Sequence, residues 1–232
     1  MAEGTEVQFN INGVFYKRSI SGNEGRTKLN INLPQGEYVI TAYNPVTGEG
    51  SSNIVKVISQ LTENHDLVKY FRNSSQYRIK VLDKQGNAVG AREIVTFNIN
   101  GVMYTRYTNE LGYVSLNINL IAGNYTITAM YDDNVVSNNI EVLPIIIAHD
   151  LYKKYGVRDS FNAKIIDGQG NAVVNESVLF NINGVFYNRI TNNEGIAKLN
   201  INLPTGEYII TSTYNGFSIG NKVTVSNWLF LL

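Results

Sequence analysis

The sequence predicts an all-β chain built as a tandem array of antiparallel β-sandwiches, and three observations predict it. One stretch occurs three times: Phe9-Asn10-Ile11-Asn12-Gly13-Val14-Phe15-Tyr16 returns at residues 97–104, with Met103 for Phe15, and unchanged at residues 180–187. The copies begin at Phe9, Phe97 and Phe180, a spacing that suits a whole small domain rather than a solenoid rung of roughly 20 to 50 residues. Apolar and polar residues alternate with a period of two, turn residues interrupt them every 8 to 12 residues or so, and no helical period is present.

Each element follows from its residues. Val7 to Ile11 alternates, Asn12-Gly13 follows, and Val14 to Tyr16 resumes; Asn-Gly accepts the positive φ angles of a tight turn, so this is a β-hairpin. Its turn recurs at Asn100-Gly101 and Asn183-Gly184. After a second polar turn comes Leu29-Asn30-Ile31-Asn32-Leu33, repeated at residues 116–120 and 199–203. This reads as a strand with its Leu and Ile side chains inward and its Asn side chains outward.

Next comes Leu, two spacers, Gly, one spacer and Tyr: Leu33 to Tyr38, Leu120 to Tyr125 and Leu203 to Tyr208. That spacing predicts a tyrosine corner, a hydroxyl reaching back to upstream backbone at a sandwich arch, as in the immunoglobulin fold. The following strand, typified by Tyr125-Ile127-Ala129-Tyr131 inward, turns at Asp132 to Asn134 and returns as residues 139–143. In the front half of the later copies, residues 77–83 and 161–167 read as strands that end in Asp-x-x-Gly-Asn turns. Ahead of them, residues 61–71 and 145–155 each carry His-Asp-Leu and read as a first, edge strand.

Strand counting gives about seven strands per unit and sets the boundaries. Residues 58–143 and 144–226 are complete domains of immunoglobulin-like type. Residues 1–57 form a partial domain that starts at the third strand and lacks the first two. Residues 227–232, with Trp228, Leu229, Phe230, Leu231 and Leu232, begin a further repeat or form a tail strand available for exchange.

Composition narrows the function. Formal net charge is zero and only 16% of residues are charged, which leaves no electrostatic basis for binding nucleic acid. Cysteine is absent, so disulfides and thiolate chemistry are excluded. No apolar run is long enough to span a bilayer as a helix, and no direct membrane insertion by this segment is expected.

Val95 to Gly101, the Asp-x-Gln-Gly-Asn-x-Val turn, the Leu-Asn-Ile-Asn-Leu strand and Gly206 to Thr211 resemble the repeats of adhesin-like surface proteins from methanogenic archaea. The Gly-Asn-x-Val turn followed by a Val-x-Phe strand is more distantly similar to bacterial Ig-like domains of invasin and intimin type. The resemblance implies an extracellular, cell-surface location, a role as stalk or adhesive surface, no catalytic residues and no cofactor. The partners it implies are a surface protein or glycan of another cell, or self through strand addition. A carbohydrate-binding module and a self-assembling fibre subunit, complemented at the incomplete first domain, are the alternatives.

Candidate chemistry is sparse. His65 and His149 stand beside Asp66 and Asp150, yet a metal site or acid/base centre needs further converging groups and the chain has only two histidines. Lys80 and Lys164, with Asn138 and Asn221, raise an intramolecular isopeptide, but alternation puts Lys80 outward while that bond needs a buried lysine. Asp132-Asp133-Asn134 is acidic in one repeat and Asn215-Gly216-Phe217 in the next, which argues for an ordinary turn over a calcium site. Asn73, Asn124 and Asn175 open glycosylation sequons. The candidate contact residues are the outward asparagines Asn98, Asn100, Asn117, Asn119, Asn181, Asn183, Asn200 and Asn202.

Overall fold

The computed structural model describes residues 3–227 of the chain. They fall into two compact units, Met1–Gln60 and Leu61–Leu232. Every described regular element is a β-strand.

The first unit is one four-stranded sheet. Its strands are β1 (Glu6–Ile11), β2 (Val14–Ser19), β3 (Gly36–Tyr43) and β4 (Gly50–Val57), in the order β2-β1-β3-β4. The Asn12-Gly13 turn is tight, with φ of 50° and 82°, and pairs Ile11 with Val14 as the sequence requires.

The second unit holds two complete sandwiches. The first has β5 (Leu61–Thr62), β6 (Leu67–Tyr70), β7 (Gln76–Val81), β8 (Ile94–Ile99), β9 (Val102–Tyr107), β10 (Tyr113–Asn117), β11 (Gly123–Tyr131) and β12 (Asn134–Leu143). A three-stranded sheet, β10-β7-β5, faces a five-stranded sheet, β6-β12-β11-β8-β9. The second sandwich repeats this with β13 (Ile146–Ala148), β14 (Leu151–Lys154), β15 (Ser160–Ile165), β16 (Ser177–Ile182), β17 (Val185–Ile190), β18 (Ile196–Asn200), β19 (Gly206–Tyr214) and β20 (Phe217–Ser226), ordered β13-β15-β18 and β14-β20-β19-β16-β17.

Inward alternation builds each core. Tyr77, Val95, Phe97, Leu116 and Ile127 fill one, and Phe161, Val178, Phe180, Leu199 and Ile210 fill the other, all buried. Tyr77 meets Phe97 edge-on at 5.9 Å, and Phe161 meets Phe180 edge-on at the same distance, a geometry that sets a ring's positive edge against a negative face. The tyrosine corners are present in all three copies. Tyr38 donates to Pro34 O at 2.8 Å, Tyr125 to Ile121 O at 2.8 Å and Tyr208 to Pro204 O at 3.0 Å.

Two expectations are corrected. The segments read as single edge strands are each two short strands in opposite sheets. β5 pairs antiparallel with β7, whereas β6 crosses over and pairs parallel with β12, and β14 pairs in the same way with β20. His-Asp sits at the crossover, and the carboxylate explains why the chain can switch there: Asp66 Oδ1 accepts the Asn139 N–H at 2.7 Å, and Asp150 Oδ1 accepts the Lys222 N–H at 2.8 Å. A side chain supplies the acceptor where the strand pairing has yet to begin.

The second correction concerns residues 29–33, which form no strand. Their counterparts β10 and β18 exist because they pair with β7 and β15. The first unit has no such partner among its described residues, so an alternating pattern alone leaves this segment irregular.

Candidate contact surfaces

The eight candidate asparagines do not converge. Asn98 and Asn181 lie on the five-stranded sheets, half-buried, and their Oδ1 atoms accept the N–H of Gly101 and Gly184 at 3.2 Å. They lock the hairpin turn. Asn100 and Asn183 occupy the turns themselves with φ of 53° and 54°, exposed to solvent. Asn117 and Asn200 lie on the opposite, three-stranded sheets, where Asn117 Oδ1 accepts from Gln76 Nε2. Asn119 and Asn202 are exposed just beyond those strands. Each sandwich therefore divides its four asparagines between two faces. Trp228, Leu229, Phe230, Leu231 and Leu232 lie outside the described residues.

A different surface recurs in the same place in all three copies. The hairpin strands β2, β9 and β17 are sheet edges, and each begins with an exposed apolar pair: Val14-Phe15, Val102-Met103 and Val185-Phe186, 50 to 63% exposed. Beside each pair the outward face continues through Asn and Thr, as Phe15–Asn10–Thr41, Met103–Asn98–Thr128 and Phe186–Asn181–Thr211. Exposed apolar side chains at one repeated site mark contact surface more specifically than scattered ones do. The sequence showed this only as strand alternation, because an edge is a property of sheet order.

In the first complete sandwich a cleft of about 340 Å³ lies at the sheet crossover, lined by residues including Glu63, His65, Asp66, Arg78 and Tyr113. Its charges are mutually occupied. Tyr113 donates to Glu63 Oε2 at 2.8 Å, Lys80 Nζ lies 3.4 Å from Glu63 Oε1, and the Arg78 guanidinium stacks 3.6 Å from the Tyr113 ring centroid. The Tyr113 hydrogen bond, followed by the Lys80 charge, draws the Glu63 carboxyl below its usual range. Lys80 is thus an ion-pair partner of Glu63, while Asn138 accepts the Tyr77 hydroxyl at 2.6 Å; the two groups named for an isopeptide have separate partners. Both histidines are exposed, and among the described residues no three His, Cys, Asp or Glu side chains are grouped to hold a metal ion.

The lysines that are buried are others. Lys69 and Lys153 are 5% and 7% exposed. Lys69 Nζ donates to Ile118 O at 2.8 Å and Ser75 O at 3.1 Å, and Lys153 Nζ donates to Ile201 O at 2.7 Å. Each carries its ammonium from the five-stranded sheet to carbonyls flanking the other, and burial lowers the Lys69 pKa. The available signal was a lysine two residues after Leu67 and Leu151, in phase with the core.

Consecutive sandwiches in the second unit dock through a small, specific junction. The Phe71 and Phe217 rings lie 5.4 Å apart, Arg72 Nη1 donates to Asn215 Oδ1 at 2.5 Å, and Asn73 Nδ2 donates to Gly168 O at 2.6 Å. A Cβ on Gly168 would sit 3.2 Å from Asn73 Cα, so a side chain at the receiving turn would push the junction apart by a few tenths of an ångström. The sequon residue Asn73 is therefore committed to the junction, whereas Asn124 and Asn175 are exposed.

Strand order, tyrosine corners and tandem packing define this as an array of immunoglobulin-like β-sandwiches. No family model matches the chain, and no curated protein does. Among solved structures it is similar to the I9-I11 tandem from titin, at 13% identity over 97% of this chain and 90% of that one, with a TM-score of 0.37. It is also similar to the Bacteroides ovatus mixed-linkage glucan utilization locus protein SGBP-B in complex with a mixed-linkage heptasaccharide, at 15% identity over 95% of this chain and 60% of that one, TM-score 0.25. A third is a 1.5-MDa bacterial ice-binding adhesin, at 14% identity over 95% and 86%, TM-score 0.25. These are remote likenesses of fold.

Proposed function

We propose that this chain is a non-enzymatic segment of an extracellular, adhesin-like surface protein, in which repeated sandwiches space out a contact surface aimed at a protein or glycan of another cell. The observation that carries this reading is the recurrence of one exposed apolar hairpin edge, Val14-Phe15, Val102-Met103 and Val185-Phe186, on three copies of the same scaffold. A spacer alone needs no such pair in each repeat. Three weak contacts on one polypeptide gain from effective concentration, so a surface that binds poorly singly holds well in series.

Beads coated with the purified chain test this. They are expected to adhere to cells of a binding community, and serine at Phe15, Met103 and Phe186 together is expected to reduce adherence far more than any single change. Equal adherence of the triple variant overturns the assignment of the surface. A glycan array run on the same protein separates a carbohydrate partner from a protein partner. Protease shaving of intact source cells is expected to release peptides of this chain, and release only after lysis overturns the location.

A further inference from the structure

The two complete sandwiches share a scaffold and differ where the first carries its crossover cleft. Thr62 pairs with Lys80, and Ile147 with the matching Lys164. From there Glu63 and Asn64 lead to His65, whereas Ala148 alone leads to His149. The first crossover is thus one residue longer. Glu63 takes up the extra length with a φ of 50°, a backbone region uncommon outside glycine, and Asn64 Nδ2 holds the turn by donating to Leu61 O at 3.0 Å. Its carboxylate joins the cleft lining. Across the three-stranded sheet the same comparison puts Arg78 where the second sandwich has Asn162, and Tyr113 where it has Ile196. Three differences meet in one cleft.

Arg78 is the group left with capacity to bind. Its guanidinium rests 3.6 Å from the Tyr113 ring centroid, which occupies its face, while its N–H edge has no hydrogen-bond acceptor among the described residues. A planar fork restrained in this way matches a carboxylate through two parallel hydrogen bonds. The neighbours set the rest of the ligand. Glu63 accepts from Tyr113 and pairs with Lys80, and a carboxylate so engaged keeps lone pairs for hydroxyl donors. Leu67 adds an apolar flank. Glu63 and Asp66 both line the cleft and repel a run of carboxylates, so an acidic peptide fits poorly. A polyhydroxylated ring bearing one carboxylate satisfies both signs of charge. The volume of about 340 Å³ lies at the small end of the roughly 300 to 1,000 Å³ usual for ligand clefts.

We propose that this cleft binds acidic saccharides, with Arg78 taking the carboxylate of a uronic acid residue and Glu63 accepting from its ring hydroxyls. The site lies on the β10-β7-β5 sheet, opposite the sheet that bears Val102-Met103, so it stands or falls separately from the hairpin edge.

The test uses the full 232-residue chain and two probes that differ in one group, methyl glucuronoside and methyl glucoside, with binding followed by amide chemical shifts. The glucuronoside is expected to bind at one site per chain and to shift residues 63–67, 78 and 113. The glucoside is expected to bind about tenfold more weakly or worse, the worth of hydrogen bonds to a charged group. Arg78→Asn with Tyr113→Ile gives the first sandwich what the second already carries at these positions, so this variant is expected to fold and to lose about tenfold or more in affinity for the glucuronoside. Arg78→Lys keeps the charge without the fork and is expected to weaken binding several-fold. Absence of saturable binding, equal affinity for the glucoside, or undiminished binding by either variant overturns the proposal. So does tighter binding of a triglutamate peptide, which would assign the cleft to an acidic protein segment instead.

Discussion

Phe71 and Phe217 stack at 5.4 Å between ring centroids and 37° between planes, and this contact links the cores of consecutive sandwiches. Phe71 packs against both cores, so it couples their stabilities. Phe71→Ala is expected to cost about 1 to 3 kcal/mol, a half-buried ring's share of a core truncation plus the ring pair. Calorimetry is expected to resolve the melting of residues 61–227 into two transitions. A single, unshifted transition would show that the contact carries no coupling.

Glycine has two distinct roles here, and a pair of substitutions separates them. Gly184 and Gly195 share a φ of 76°. A Cβ on Gly184 meets nothing within 4 Å, while one on Gly195 would lie 2.6 Å from Ile165 O. Gly184→Ala is expected to cost about 1 kcal/mol for the left-handed backbone. Gly195→Ala adds a clash with a main-chain oxygen that cannot swing away, for a total of about 3 kcal/mol. Denaturant midpoints that fall equally would contradict the distinction.

Acid is expected to loosen the turns. The Asp83 and Asp167 carboxyls are held below their usual range chiefly by the backbone N–H groups of Asn87 and Asn171, each at 2.8 to 2.9 Å; Asp66 is lowered in the same way by Asn139. A folded-state pKa below the unfolded value near 3.9 means the stabilisation is present above that pH and is lost as pH falls through the folded values. Asp83→Asn with Asp167→Asn is expected to lower stability at pH 7 and to flatten its dependence on pH below about 4. Thermal melts across that range measure both, and a slope as steep as the parent's would exclude these carboxylates as its source.

Local chemistry was legible in the sequence where neighbours in the chain decide the outcome. The Leu-x-x-Gly-x-Tyr spacing announced hydroxyl bonds that Tyr38, Tyr125 and Tyr208 make, and Asn-Gly announced the hairpins. What stayed hidden depends on partners distant in sequence. Nothing within Leu29 to Leu33 distinguishes it from the strands at Leu116 and Leu199, because the difference lies in whether a β7-like strand is beside it. Alternation marks these asparagines as outward without saying on which sheet, and only sheet order reveals that Asn98 and Asn117 belong to opposite sheets. A buried Lys69 is not legible in the sequence, because a charge in core phase makes sense only with the two distant carbonyls that receive it.

Comparison of the two complete repeats yields a stabilising change. Tyr77 and Phe161 hold the same place, each edge-on to a core phenylalanine, and the Tyr77 hydroxyl donates to Asn138 Oδ1 at 2.6 Å. In the second sandwich the ring has no hydroxyl, and among the described residues Asn221 Oδ1 is buried without a hydrogen-bond partner. Phe161→Tyr supplies the donor on a ring already positioned for it and is expected to stabilise that sandwich by about 1 kcal/mol. The reverse change, Tyr77→Phe, leaves Asn138 Oδ1 unpaired and is expected to cost about 1 to 3 kcal/mol. Burial, reinforced by the Asp66 charge, raises the Tyr77 pKa, and a raised folded-state value means that stability falls once pH exceeds the unfolded value near 10. The gain from Phe161→Tyr should accordingly hold at neutral pH and fade above about pH 10. A new tyrosine that titrates like an exposed phenol, or a variant that melts below its parent at pH 7, would show that the second sandwich does not reproduce the first at this position.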